Sequence, residues 1–159
     1  MDYLTPNLFR VLQPGRICAV HVKDRIVPMG MTNYGCQTVY PLHMKATEHY
    51  LKHGFAYMGM KTIVTDVVRE NNQTYRLGWT EQCKDGTKMG VGMPEYLLLF
   101  RKPATETANA YADIPVVKTK EQYSVGRWQV DAHGFARSSG NRKLTPDELE
   151  LLPHEQIFK

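Results

Sequence analysis

The sequence has 159 residues, 42% of them hydrophobic and 23% charged, with a formal charge of +4, which suits one domain with a core of its own or one domain with an appendage. No apolar run approaches the roughly 18 residues of a membrane span, and acidic Asp2 stands where a signal sequence would carry basic residues. Neither secretion nor membrane insertion is supported, and a cytoplasmic location is expected; the mild basic excess permits a nucleic-acid partner without requiring one.

At the start of the chain, Leu4, Leu8, Val11 and Leu12 recur at the spacing of one helical face, so Met1 to Leu12 is expected to form a helix with a single buried stripe. Pro14 and Gly15 end it. Ile17 to Val22 is apolar without alternation until His21, the pattern of a strand covered on both faces by helices. A helix, turn and buried strand in this order imply a parallel α/β sheet. Ligands of such sheets bind beyond the carboxyl ends of the strands, so His21, Lys23 and Asp24 are where chemistry is expected.

Arg25 to Val39 holds Pro28, Gly30, Asn33 and Gly35 without periodicity and reads as a long loop. Pro41 opens a second helix with Leu42, Ala46, His49, Tyr50 and His53 on one face, and Gly54 stops it. His49 and His53 stand at i, i+4, but no HExxH pattern surrounds them or His43. All three are read as solvated or core-flanking, and no metal is assigned. Cys18, Cys36 and Cys83 are far apart and form no CxxC pair, so they read as reduced thiols.

Phe55 to Val68 is the second strand region, with Gly59 as a bend, and Glu95 to Arg101 is the third. The polar stretch Arg69 to Pro94 between them suggests a hairpin with a large inserted loop. Ala104 to Asp113 is small and polar, a linker candidate. Ile114 to Lys143 then carries six Lys or Arg against two acids, interleaved with Tyr123, Trp128 and Phe135. Thr145-Pro146-Asp147-Glu148 is a capping-box helix start. Leu149, Leu152, Ile157 and Phe158 follow with little chain left to cover them, so the chain reads as cut at this end.

Two phrases carry a resemblance. The turn RVLQPGR (Arg10 to Arg16), set between a helix and an apolar strand, and MPEYLLLFRKP (Met93 to Pro103) are similar to elements of the amino DNA methyltransferases, in that family's order over Met1 to Pro103. The resemblance implies a partial Rossmann-like methyltransferase α/β fold over residues 1–103, the second half of the sheet with a terminal hairpin. Residues 104–159 would be a basic, less regular extension that begins a target-recognition region. It also implies S-adenosylmethionine-dependent methylation of adenine N6 or cytosine N4 in DNA, in a restriction or phage setting.

Two elements of that family are absent. No Asp-Pro-Pro or Asn-Pro-Pro tetrapeptide and no FxGxG cofactor element occurs in the sequence. The tetrapeptide accepts the hydrogens of a flipped base's amine, whose lone pair is delocalised into the ring. No catalytic residue is therefore assigned. The chain reads as an internal fragment of the permuted subclass, inactive alone and holding no cofactor by itself; a non-enzymatic nucleic-acid-binding or structural module on the same half-fold is the alternative.

Position in the family suggests Arg69, Tyr75, Arg76, Trp79, Lys84 and Lys88 as DNA contacts near the target base, though Asp66, Glu70, Glu81 and Asp85 leave that loop nearly neutral. Lys118, Lys120, Arg127, Trp128, Arg137, Arg142 and Lys143 form a second basic and aromatic set. His21 and Asp24 are the cleft-edge candidates. Loss of a neighbouring strand would leave the Ile17 to Val22 strand with an open edge, so self-association there is expected.

Overall fold

The computed structural model describes residues 1–64, 79–88, 90, 92–137 and 151. Among the described residues the elements in chain order are α1 (Leu4–Val11), β1 (Ile17–Lys23), β2 (Arg25–Val27), β3 (Thr38–Tyr40), α2 (Leu42–Lys52), β4 (Ala56–Val64), α3 (Trp79–Lys84), β5 (Glu95–Arg101), α4 (Val125–Ala132) and β6 (Phe135–Arg137). Short 3-10 turns lie at Met29–Met31, Gly86–Lys88 and Thr107–Asn109.

The main sheet has the order β1-β5-β4-β6. β5 pairs antiparallel with both β1 and β4, and β4 pairs parallel with β6. The expectation of a parallel sheet is corrected accordingly. β1 and β4 do run the same way, joined through α2, but the antiparallel β5 lies between them. Its run Leu97-Leu98-Leu99-Phe100 is the most apolar stretch of the chain and takes the position with a strand on either side, where Leu98 and Phe100 are fully buried. The hairpin expected from β4 to β5 is present, and β4 is irregular between Tyr57 and Gly59, where φ of Gly59 is +126°.

One face of this sheet carries the core: Val22, Ala46, Tyr50, Phe55, Leu98 and Phe100, with Phe9, Leu12, Cys18, Val20 and Tyr96 packed against them. Tyr50 of α2 stacks on Phe100 at 4.7 Å, and Phe9 of α1 meets Phe55 edge-on at 5.0 Å. Each such side chain contributes about 1.5–3 kcal/mol by leaving water. α2 buries Ala46 and Tyr50 on the face expected of it, and Gly54, with φ of +89°, closes it.

Four further expectations change. β1 alternates, with Val22 buried and Ile17, Ala19 and His21 exposed, so among the described residues helices cover one face of it rather than both. α1 is shorter than expected and turned. Leu4 and Val11 are exposed, while Thr5 is buried and Phe9 and Leu12 reach the core, because the contact of Phe9 with Phe55 fixes the rotation of the helix. The stretch read as a loop from Arg25 to Val39 contains the antiparallel pair of β2 and β3, whose short β-branched runs Ile26-Val27 and Thr38-Val39 satisfy each other's backbone groups. Within the polar stretch from Arg69 to Pro94 stands α3.

The linker candidate folds back on the Pro14-Gly15 turn. Gly15 donates its N–H to the Lys102 carbonyl at 2.7 Å, and Arg16 donates to the Ile114 carbonyl at 3.0 Å. Asp113 accepts from the Thr105 N–H at 2.8 Å and from Asn109 at 3.0 Å, which makes this segment a compact turn in place of an open tether. Residues 65–68 of the second strand region and the capping-box start at Thr145 to Glu148 lie outside the described residues, as do Leu149, Leu152, Ile157 and Phe158.

Candidate functional site

The sheet order brings three strand ends to one edge. Lys23 at the carboxyl end of β1 pairs with Glu95 at the amino end of β5, and Glu95 pairs in turn with Ile63 near the carboxyl end of β4. Beside it, Val64 pairs with Arg137 of β6, so the strand from the basic segment leaves the sheet at this same edge. Alternation along β1 sends His21 and Lys23 to one face and Val22 and Asp24 to the other.

On the first face, His21 Nε2 lies 2.7 Å from Glu95 Oε2, and Lys23 Nζ lies 3.6 Å from Glu95 Oε1. The His21 side chain is 56% exposed against 27% for Glu95, so the imidazole is the part of this pair that an incoming molecule meets.

On the second face, Asp24 is buried against the start of α2. The Asp24 carboxylate accepts the backbone N–H of His43 at 3.0 Å, and His43 Nδ1 lies 2.8 Å from both carboxylate oxygens. Pro41, at the N-cap position, supplies no side-chain cap. Asp24 therefore does the capping from a neighbouring strand, satisfying an orphan N–H of the first turn with a negative charge where the helix dipole favours one. Tyr96 stacks on the His43 ring at 4.3 Å. Burial, and then the charge of Asp24, push the Tyr96 hydroxyl above its ordinary pKa.

The two cleft-edge candidates thus reach the same edge on opposite faces, each in a carboxylate–histidine pair. His21 is accessible for hydrogen bonding or proton transfer, whereas Asp24 is spent on holding α2 in place. From sequence, Glu95 and Tyr96 belong only to an apolar strand, and His43 is a solvated or core-flanking histidine. Their positions are legible afterwards, since Glu95 and Tyr96 open the apolar strand and His43 sits in the first turn after Pro41.

Among the DNA-contact candidates, Arg69, Tyr75, Arg76, Arg142 and Lys143 lie outside the described residues, as do the side chains of Trp79 and Arg137. Lys84 and Lys88 are exposed. Lys88 Nζ stands 3.7 Å from Asp85, whose carboxyl is held below its ordinary pKa chiefly by the Thr87 hydroxyl. Part of this loop's basic charge is therefore locally matched.

The second set is more open. Lys118, Lys120, Arg127 and Trp128 are exposed, Trp128 by 56%. Lys118 sits over the Tyr123 ring at 4.7 Å, and Tyr123 donates to Asp131 at 2.7 Å. α4 starts at Ser124, which accepts the Arg127 N–H at 3.2 Å. Lys61 of β4 donates to the Val130 carbonyl at 2.8 Å, and Thr62 donates to the Gly134 carbonyl at 2.8 Å. These bonds tie α4 and β6 to the sheet and so set Arg127 and Trp128 of α4 beside it.

None of the three cysteines is in a disulfide; Cys18 is half-buried and burial raises its pKa. Among the described residues, no helix is long and apolar enough to cross a membrane.

No family profile matches the chain, and no curated protein matches it. Among solved structures it is similar to TTHA0409 of Thermus thermophilus, a candidate DNA modification methylase, in complex with S-adenosyl-L-methionine: the TM-score is 0.56 at 18% identity, over 89% of this chain and 51% of that one. The selenomethionine derivative of the same protein matches with a TM-score of 0.55, again at 18% identity and over 89% of this chain and 51% of that one. The chain spans about half the length of these structures. With the strand order described above, this likeness establishes a mixed α/β fold of the methyltransferase type.

Proposed function

We propose that this chain is the second half of the α/β domain of an S-adenosylmethionine-dependent DNA methyltransferase acting on adenine N6 or cytosine N4. The observation that carries the reading is the arrangement of co-directional β1 and β4 around antiparallel β5, in a chain that also bears the RVLQPGR turn and the LLLFRKP strand end. Its likeness to a candidate DNA modification methylase that binds S-adenosyl-L-methionine supports it.

When bound, S-adenosylmethionine supplies the methyl group. The residues at the carboxyl edge do not fit it by themselves, because both carboxylates there, Asp24 and Glu95, are already turned to histidines, and the sequence lacks the FxGxG element. With no tetrapeptide to accept the hydrogens of the amine, this polypeptide alone does not transfer methyl groups. Its share of the work is to hold DNA: the exposed Lys118, Lys120, Arg127 and Trp128 neutralise phosphate and offer a stacking surface. Residues 104–159 are read as the beginning of the target-recognition region. The edge of β1 that pairs with no strand among the described residues, at one end of the sheet, is the surface through which copies of this chain associate.

Titration of the chain with duplex and single-stranded DNA at two salt concentrations tests the reading. Binding that weakens steeply with salt is the expected result, and binding that is absent or indifferent to salt sinks the DNA assignment. A parallel calorimetric titration with S-adenosylmethionine is expected to show no heat. The non-enzymatic alternative rests on the same exposed basic surface; an open reading frame carrying the tetrapeptide and FxGxG beside this segment decides for the enzyme.

A further inference from the structure

The far end of α2 from His43 carries a second side-chain cluster with no role in the carboxyl edge. His49 and His53, one turn apart, meet Asp2 from the segment before α1, and one ligand atom from each of the three lies within 4.8 Å of the others. The two imidazole rings stand 4.3 Å apart, tilted by 45°.

We infer that Asp2, His49 and His53 form a binding site for a divalent transition metal ion, with zinc the ion best suited to two imidazoles and a carboxylate in a flexible geometry. The hydrogen bonds around the rings point the required lone pairs inward. His53 Nδ1 lies 2.8 Å from the His49 carbonyl, to which it can only donate, so Nε2 carries the lone pair. His49 Nε2 lies 2.9 Å from the Thr5 hydroxyl, which can accept its N–H. With His49 Nε2 donating to Thr5, the His49 Nδ1 lone pair faces Asp2.

Nδ1 and the Asp2 carboxylate are 3.6 Å apart. That is too long for a good hydrogen bond and close to the about 3.3 Å between ligands that tetrahedral bonds of ~2.0–2.1 Å would give. Both histidines are thus oriented by a backbone carbonyl or a hydroxyl, the kind of outer-shell support that metal-binding imidazoles need. The Asp2 side chain is 97% exposed, so it is free to close the remaining gap, and water can take the fourth position. A bound ion would pin the start of the chain to the last turns of α2.

Zinc chloride titrated into the full chain under a non-thiol reductant tests this by calorimetry and zinc-edge absorption spectroscopy. One ion per chain is expected, with nitrogen and oxygen scatterers at ~2.0–2.1 Å and no sulfur at ~2.3 Å. Asp2→Asn, at a fully exposed position, and His53→Gln should each weaken binding at least 10-fold, on the order of what loss of an outer-shell partner already costs. Cys36→Ser with Cys83→Ser should leave it unchanged. Absence of zinc heat, sulfur in the shell, or equal affinity in the Asp2→Asn and His53→Gln variants would overturn the assignment.

Discussion

Asp24 caps α2 from the end of a different element: its carboxylate takes the His43 backbone N–H at 3.0 Å and lies 2.8 Å from the same residue's ring nitrogen. The pair locks the turn after β1 to the first turn of α2, and Tyr96 closes over it. Asp24 is only 7% exposed, and removing it leaves the part-buried His43 N–H without its acceptor. Asp24→Ala should cost about 2–3 kcal/mol in urea denaturation, within the range for hydrogen bonds to charged groups. Asp24→Asn keeps one acceptor for the N–H and should cost less; equal stability of Asp24→Ala and the parent would remove the capping role.

Phe100 has no exposed surface and packs on Tyr50, Phe55 and Tyr57. Phe100→Ala should lower unfolding free energy by about 3–5 kcal/mol, with the denaturant slope unchanged. A loss below about 1 kcal/mol would place the core elsewhere.

Gly15 adopts φ of +84°, and a Cβ there would run into Ala112 and the Tyr111 carbonyl. The turn needs a left-handed backbone and the segment after β5 sits directly on it. Gly15→Ala should destabilise by more than about 1 kcal/mol, since positive φ and a backbone clash act together. Thermal unfolding within a degree of the parent would show that the turn tolerates a side chain.

Asp113 is held below its ordinary pKa first by the Thr105 hydroxyl, then by Asn109 and the Thr105 N–H. A depressed folded-state pKa stabilises the fold above the unfolded value, 3.8 for this group, and the gain is lost as pH falls through the lower folded value. Asp113→Asn should therefore flatten the acid limb of the stability profile below about pH 4 and leave its slope at neutral pH unchanged. An identical acid limb in parent and variant would contradict it.

Replacing Lys118 and Lys120 with Gln should lower the slope of log affinity against log salt by about 1–2, close to one per lost phosphate contact. Trp128→Ala should instead cost about 1–3 kcal/mol with single-stranded DNA, the usual worth of one stacked base, with the salt slope unchanged. Variants indistinguishable from the parent would reduce this surface to solvated charge.

Ile17 is 51% exposed on β1, a strand at one end of the described sheet. Sedimentation at rising concentration is expected to show association that Ile17→Lys suppresses, because a charge on an edge strand opposes pairing. A monomer at every concentration would exclude this edge as a contact.

Much of this molecule was set by local sequence. The Pro-Gly turn, the buried face of α2 with its glycine stop, and the hairpin of β4 and β5 follow from residue spacing, because periodicity and backbone restrictions act over a few residues. The same spacing misjudged α1, since Leu4, Leu8 and Val11 form as good a stripe as Thr5, Phe9 and Leu12; only the distant Phe55 ring selects between them. It also missed the insertion of β5 between β1 and β4, because strand order depends on which backbone edges meet. Asp24 and His21 were legible as the polar exit of a strand, but their partners were not. His43 and Glu95 reach them through the helix crossover and the sheet register, and Asp2 reaches His49 through the packing of α1 on α2. Contacts between residues far apart in sequence leave no local pattern, so the tertiary structure alone decided which carboxylate holds which histidine.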